Sequence, residues 1–330
     1  MSYLLEPLIE GKLTLKNRLI MPPMATSKSE EDGSVSEDLL NYYDEKTRGG
    51  NIALVVVEHS YITGQGKVSE GQLSVAEDRF LEGLQKLSDL IHRNGSKAVM
   101  QLNHVGSAGN KAFTGVDPVG PSAVANPRSG GVPRELTGEE IKFIVEEFTR
   151  AALRVKKAGF DGVEIHSAHG YLLNQFFSPL TNRRKDKYGG DVLGRIGIHL
   201  EIIESVREAV GPDFPILLRL GASDYMEGGS TVEDSKIAAL EFEKAGIDIL
   251  DISGGFCGFT IAGDDSQGYF SPLSQAIKEV VSIPVILTGG ITKVESAEKL
   301  LHEKKADLIG VGRAIYKDTL WAEKAMNSLK

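Results

Sequence analysis

Three stretches of the chain, AGFDGVEI (158–165), AGIDILDI (245–252) and KKADLIGV (304–311), are variations on one pattern. In each, a helical segment gives way to one or two small or polar residues and then to a short apolar strand. The first is the clearest. Upstream of it, Thr137 and Glu140 form a T-x-x-E capping box. Ile141, Ile144, Val145, Phe148, Ala152 and Val155 then recur at the spacing of one helix face. Gly159 can end that helix in a left-handed conformation, and a strand follows at Gly162–His166. The same order returns at Thr231–Ala245, Gly246 and a strand over Ile247–Ile252, and again at Thr292–Lys305 with a strand over Asp307–Val311.

Further strands are predicted at Leu19–Met21, Ile52–Val57, Lys97–Leu102, Ile216–Leu220 and Val285–Leu287, which makes eight. Most are apolar throughout rather than alternating, as parallel strands covered by helices should be. Eight such units predict an α/β fold of the closed (β/α)8 type, a TIM barrel, with an open doubly wound sheet as the alternative. Two segments stand outside the repeat. Residues 3–15 read as an N-terminal β-hairpin around Glu10-Gly11, a lid on the barrel bottom. Residues 103–136 form a Gly/Pro-rich excursion after strand three, too long for a simple connector. No linker or shift in composition divides residues 1–330, so one domain is expected.

Composition narrows the function. Acidic residues outnumber basic ones 46 to 37, a formal charge of −9 that argues against nucleic-acid and anionic-membrane partners. The one cysteine, Cys257, excludes an internal disulfide and a multi-cysteine metal or cluster site. No apolar run is long enough to span a bilayer, and the first residues lack the pattern of a secretion signal. A cytoplasmic protein acting on a small molecule is expected, with a homo-oligomer left open.

In a barrel of this kind the site lies where strands end. Those ends are Pro22-Pro23-Met24-Ala25, Glu58-His59, Gln101 with His104, His166-Ser-Ala-His169-Gly-Tyr171, Arg219, Ser253-Gly254-Gly255, Thr288-Gly289-Gly290 and Gly312-Arg313. The glycines and Arg313 of the last two suit a phosphate, of cofactor or of substrate alike, although tight turns alone would also explain them. His166 and His169 offer two imidazoles for a substrate oxygen, and Tyr171 a phenolic proton. H-x-x-H alone makes no zinc site, and no third ligand is evident, so no metal is expected. Arg219, flanked by leucines, needs either an electron-rich ligand or a salt bridge to Glu164 or Asp251. Gln101 could present its amide to a heterocycle edge. Gly64-Gln-Gly66 and Gly310-Val-Gly312 lack the third glycine of a dinucleotide fingerprint.

In this order the residues resemble the old yellow enzyme family, from about Leu4 to Trp321. The resemblance rests on LTLKNRLIMPPM (13–24), VVVE (55–58), QLNHVG (101–106), GFDGVEIHSAHGYLLNQFFSPLTNRRKDKYGG (159–190), LLRLGASDY (217–225), DISGG (251–255), LTGGI (287–291) and IGVGRAIYKD (309–318). It is read as a resemblance to the short, bacterial, iron–sulfur-free ene reductases. The resemblance implies FMN as cofactor and NADPH or NADH as hydride donor. It implies that Pro22, Pro23, Met24 and Ala25 run along the flavin, that the His59 backbone lies near a ring carbonyl, that Gln101 and Arg219 hold the pyrimidine end, and that Gly290, Gly312 and Arg313 hold the phosphate. His166 and His169 would then grip a carbonyl or nitro oxygen, while Tyr171 protonates the α-carbon of an activated alkene. Three departures from the family pattern stand out: Ala25 replaces a cysteine or threonine, Ser27 replaces a substrate-contacting tyrosine, and the sequence ends at Lys330, short of a tail arginine that reaches a neighbouring subunit. A more open pocket is expected. An NAD(P)H-oxidising flavoprotein with another acceptor, and a non-redox barrel isomerase or aldolase, are the competing readings.

Overall fold

The computed structural model describes residues 2–9 and 11–330. Eight parallel strands close on themselves: β1 (Leu19–Met21), β2 (Leu54–Tyr61), β3 (Lys97–Asn103), β4 (Gly162–Ser167), β5 (Ile216–Gly221), β6 (Ile249–Ser253), β7 (Val285–Thr288) and β8 (Leu308–Gly310). β1 pairs with both β2 and β8, so the sheet has no edge and the doubly wound alternative is ruled out. Helices α1 (Glu37–Thr47), α2 (Leu81–Arg93), α3 (Gly138–Lys157), α4 (Gly197–Val210), α5 (Val232–Ala245), α6 (Ser271–Lys278) and α7 (Val294–His302) lie between successive strands.

Local chemistry accounts for most boundaries. α3 opens with a reciprocal cap: Glu140 N donates to Thr137 Oγ1 at 3.2 Å, and Thr137 N donates to the Glu140 carboxylate at 2.8 Å. A cap of this kind contributes about 1 kcal/mol. Thr231 and Asp234 repeat the arrangement at α5, which ends in Gly246 at φ +115°. The third unit departs from the pattern. Thr292 does not cap α7; its N–H goes to Gln267 Oε1 at 2.7 Å, and the helix begins two residues later. β2 also runs beyond Val57, because its pairing with β3 shifts register between Val57 and Ser60. An extra residue fitted into that stretch lets the strand continue past Glu58 and His59.

Period-two alternation divides each strand between two cores. Leu19, Met21, Val55 and Val57 face the helices. Ile20, Leu54, Val56, Val99, Leu217, Ile249, Ile286 and Leu308 fill the barrel, where Leu8, Leu13 and Leu15 pack against them. These side chains are almost wholly buried, each stabilising the fold by roughly 1.5–3 kcal/mol. The N-terminal segment is thus the expected lid. Its hairpin consists of one antiparallel bridge, with Leu8 and Leu15 each donating to the other at 2.9 and 2.8 Å. Glu10, at the expected turn, lies outside the described residues. The excursion over 103–136 carries two paired two-residue strands, Val119–Gly120 and Arg134–Glu135. Among the described residues no helix is long and apolar enough to cross a membrane.

Candidate active site

Two residues further along the inward face, the same alternation turns polar: Gln101 on β3, Glu164 on β4, Arg219 on β5, Asp251 on β6 and Thr288 on β7. Gln101 Nε2 donates to Glu164 Oε1 at 2.8 Å, Arg219 Nε lies 3.3 Å from Asp251 Oδ2, and Thr288 Oγ1 donates to Asp251 Oδ1 at 3.3 Å. Of the two partners that the sequence left open for Arg219, Asp251 is the one it pairs with. Burial pushes both carboxyl groups upward, while the guanidinium opposes that at both. Asp251 holds the ion-pair contact with Arg219, and its charge pushes Glu164 further up.

Above this layer, at the C-terminal strand ends, opens a cavity of about 380 Å³. Pro22, Pro23, Met24 and Ala25 form one wall, and Arg219 lies at its floor. Gly289, Gly290, Gly310, Gly312 and Arg313 form another side. Bare backbone is required there. Gly290 has φ +69°, and a Cβ on it would come within 2.5 Å of the Tyr269 ring; one on Gly312 would meet Met24 Sδ and Pro22 Cγ at 3.3 Å. Arg313 Nη2 donates to the Tyr269 hydroxyl at 3.0 Å, and that hydroxyl donates to Phe259 O at 2.6 Å. No carboxylate pairs with Arg313 among the described residues, so a guanidinium facing exposed backbone is left for an anion such as a phosphate. The donor set fits a long ligand with a charged tail here and an electron-rich ring near Arg219.

The remaining wall carries the imidazoles. The His166 ring lies 5.1 Å from that of His169 and 5.3 Å from that of Tyr171, centroid to centroid. His169 sits in the left-handed region at φ +61°, held by its N–H to Gly254 O at 3.1 Å and by Arg128 Nη1 on its carbonyl at 2.9 Å. Its Nε2 is 2.7 Å from Ser253 Oγ. His166 Nδ1 is buried without a hydrogen-bond partner. Burial, reinforced by neighbouring cations, holds both imidazoles well below the usual histidine range, so both are neutral at pH 7. Burial raises the Tyr171 phenol, which stays protonated. Neutral N–H donors beside a protonated phenol can hold an oxygen on which charge develops and supply a proton next to it.

Eleven of the residues given a catalytic or binding role in the sequence line the cavity: Pro22, Pro23, Met24, Ala25, His59, His169, Tyr171, Arg219, Gly290, Gly312 and Arg313. His166 is not among the lining residues, but its ring packs edge-on against those of His169 and Tyr171. Gln101 does not reach the wall, because its amide is engaged with Glu164. The sequence reading missed Arg128, Phe259, Tyr269 and Tyr316, which also line the cavity. They come from the long excursion or lie beyond the strand ends, where no repeat marks them.

The model of the NADH:flavin oxidoreductase / NADH oxidase family matches residues 3–330. The chain belongs to this family. An NADH oxidase of Thermoanaerobacter brockii is 43% identical over 96% of the chain, and an NADPH dehydrogenase of Clostridium acetobutylicum 38% identical over 93%. The chain spans 49% of the first and 89% of the second, so the family's long and short members are both represented. Among solved structures, a 2-naphthoyl-CoA reductase complex superposes with a TM-score of 0.94 at 30% identity, over 99% of this chain and 52% of that one. A Zymomonas mobilis old yellow enzyme homologue gives 0.85 at 26%, covering 99% and 93%. Morphinone reductase bound to tetrahydroNAD gives 0.86 at 26%, covering 100% and 92%. FMN and a reduced nicotinamide are the cofactors that go with this family, and the cavity fits the first: a phosphate at Arg313 and the glycines, a ring towards Arg219.

Proposed function

We propose that this chain is an FMN-dependent NAD(P)H oxidoreductase that reduces activated alkenes such as enones or nitroalkenes. The observation that carries this reading is the placement of His169 and Tyr171 on the wall of a cavity, with the His166 ring packed against both, while bare glycines and Arg313 line the same cavity and suit a phosphate. FMN, when bound, supplies a ring that accepts hydride from the nicotinamide and passes it on. The protein supplies position and charge. Arg219 would stabilise negative charge on the ring, while Asp251 keeps the guanidinium in place. Pro22 to Ala25 exclude water along one wall. His166 and His169 hold the activating oxygen of the alkene, and neutral imidazoles do so without transferring a proton to it. Tyr171 hands its phenolic proton to the α-carbon. Gln101 acts at one remove, by fixing Glu164.

Anaerobic mixing of the reduced enzyme with 2-cyclohexenone tests the reading, with reoxidation of the yellow chromophore as the readout. His166→Ala combined with His169→Ala should abolish reoxidation while FMN stays bound and is released intact by heat denaturation. Alkene reduction that survives the double substitution would overturn the oxygen-binding assignment. The name NADH oxidase on a 43% identical relative favours a second reading, reoxidation by dioxygen or another acceptor. In that case cyclohexenone leaves the reduced wild type unchanged and air does not.

A further inference from the structure

His59 lines the cavity together with His169 and Tyr171, yet its side chain takes no part in the proposed reduction. Its ring is nearly parallel to that of His166, with centroids 6.4 Å apart, and edge-on to Tyr171 at 5.7 Å. The neighbours of this ring fix its protonation. Gln72 is 2% exposed. Its Oε1 accepts from Val68 N at 2.6 Å, and a backbone N–H can only donate, so the atom at that position is the amide oxygen. The other end of the amide is therefore the NH2 group. It lies 2.7 Å from His59 Nδ1 and 2.9 Å from His59 O, one hydrogen for each. A nitrogen that accepts a hydrogen bond carries no proton, so the proton of a neutral His59 must be on Nε2. Burial holds this histidine at about 4, so it is neutral at pH 7. No protein group takes up the Nε2–H among the described residues.

We infer that the His59 imidazole, fixed as the Nε2–H tautomer by Gln72, is a third hydrogen-bond donor of the acceptor pocket and selects acceptors that carry two oxygens on the activating group, such as nitroalkenes. The inference rests on the ene-reductase reading of this cavity and adds a specificity-determining residue to it. Donor count gives the reason. A ketone oxygen has two lone pairs, which His166 and His169 fill. A further N–H finds a partner only when the ligand brings a second oxygen, and a polar group without a partner in a half-buried wall favours the ligand that satisfies it.

Two measurements test this. In ring-15N-labelled protein, with the His59 signals assigned by their loss in His59→Ala, Nε2 should be the protonated nitrogen from about pH 6 to 8. Gln72→Met should release the lock and mix the two tautomers. An Nδ1–H form in the wild type would overturn the inference. The second measurement uses oxidised, FMN-loaded enzyme without an electron donor, so that nothing turns over. The dissociation constants of 1-nitrocyclohexene and 2-cyclohexenone are compared in the wild type and in His59→Ala. Their ratio should shift by about tenfold against the nitro compound, the loss of one hydrogen bond to a partly charged oxygen. An unchanged ratio, whether both ligands weaken together or neither does, would overturn it. Because these constants are read without hydride transfer, a reduced enzyme inert to both alkenes would defeat the ene-reductase reading and leave the donor role of His59 decided by binding.

Discussion

The lower and upper halves of the barrel are built from the same strands and differ in what two residues of advance bring inward. Below, Leu217 and Ile249 meet Ile286, Leu308 and the N-terminal leucines in a dry core. Above, the next inward positions are Arg219 and Asp251, joined to Thr288, with Glu164 and Gln101 alongside. The lower layer is held by burial and close packing. In the upper one, charges desolvated by the same strands are kept in place by one another. Stability and chemistry are therefore stacked along one axis, and substitutions in the two layers should separate them.

The heaviest loss should come from the lower layer. Leu217→Ala should cost about 2–5 kcal/mol in urea unfolding, with little change in kcat/KM of the folded fraction. A comparable loss of activity per folded molecule would break the division. At the upper rim, Glu58 accepts from Thr26 Oγ1 at 2.6 Å, and burial pushes its carboxyl up to about 7. Between about pH 4.5 and 7 the unfolded chain releases this proton and the native one keeps it, so this residue's contribution falls as pH rises and levels off above about 7. Relative to wild type, Glu58→Gln should gain about 3 kcal/mol at pH 8 over its value at pH 4, as an upper bound. Equal differences at both pH values would refute the buried-acid account.

Smaller effects should appear without any change in stability. Ala25 lines the cavity and has no donor. Ala25→Cys should raise the potential of bound FMN, because a thiol near the ring stabilises its reduced form; spectroelectrochemistry showing no upward shift would dispose of that idea. Smallest of all is the pH response of alkene reduction. With His166 and His169 neutral and Tyr171 protonated throughout, the rate should vary less than about twofold from pH 6 to 9. A step near pH 6.5 would show that an imidazole titrates in the working range.

Much of the lower half was legible in the sequence because one rule builds it: apolar runs make strands, 3.6-residue periodicity makes helices, and caps mark where helices begin. Where a boundary moved, a tertiary partner had intervened, such as Gln267 on Thr292 or the register shift at Glu58 and His59. The upper half was legible as a set of strand ends and less so as an arrangement. Nothing in the spacing says that Gln101 binds Glu164 rather than facing the cavity, that Arg128 leaves a long excursion to hold the His169 carbonyl, or that Gln72 sets the tautomer of His59. Each depends on side chains brought together from distant parts of the chain.

The left-handed backbone at His169 limits its own evolution. Few residues other than glycine accept φ +61° comfortably, and asparagine, aspartate and histidine are the main ones. Of these only asparagine and neutral histidine also present an N–H. The loop thus narrows the choice of donor before any substrate arrives: drift at this position can trade one amide or imidazole for the other, while threonine or valine would have to rebuild the turn.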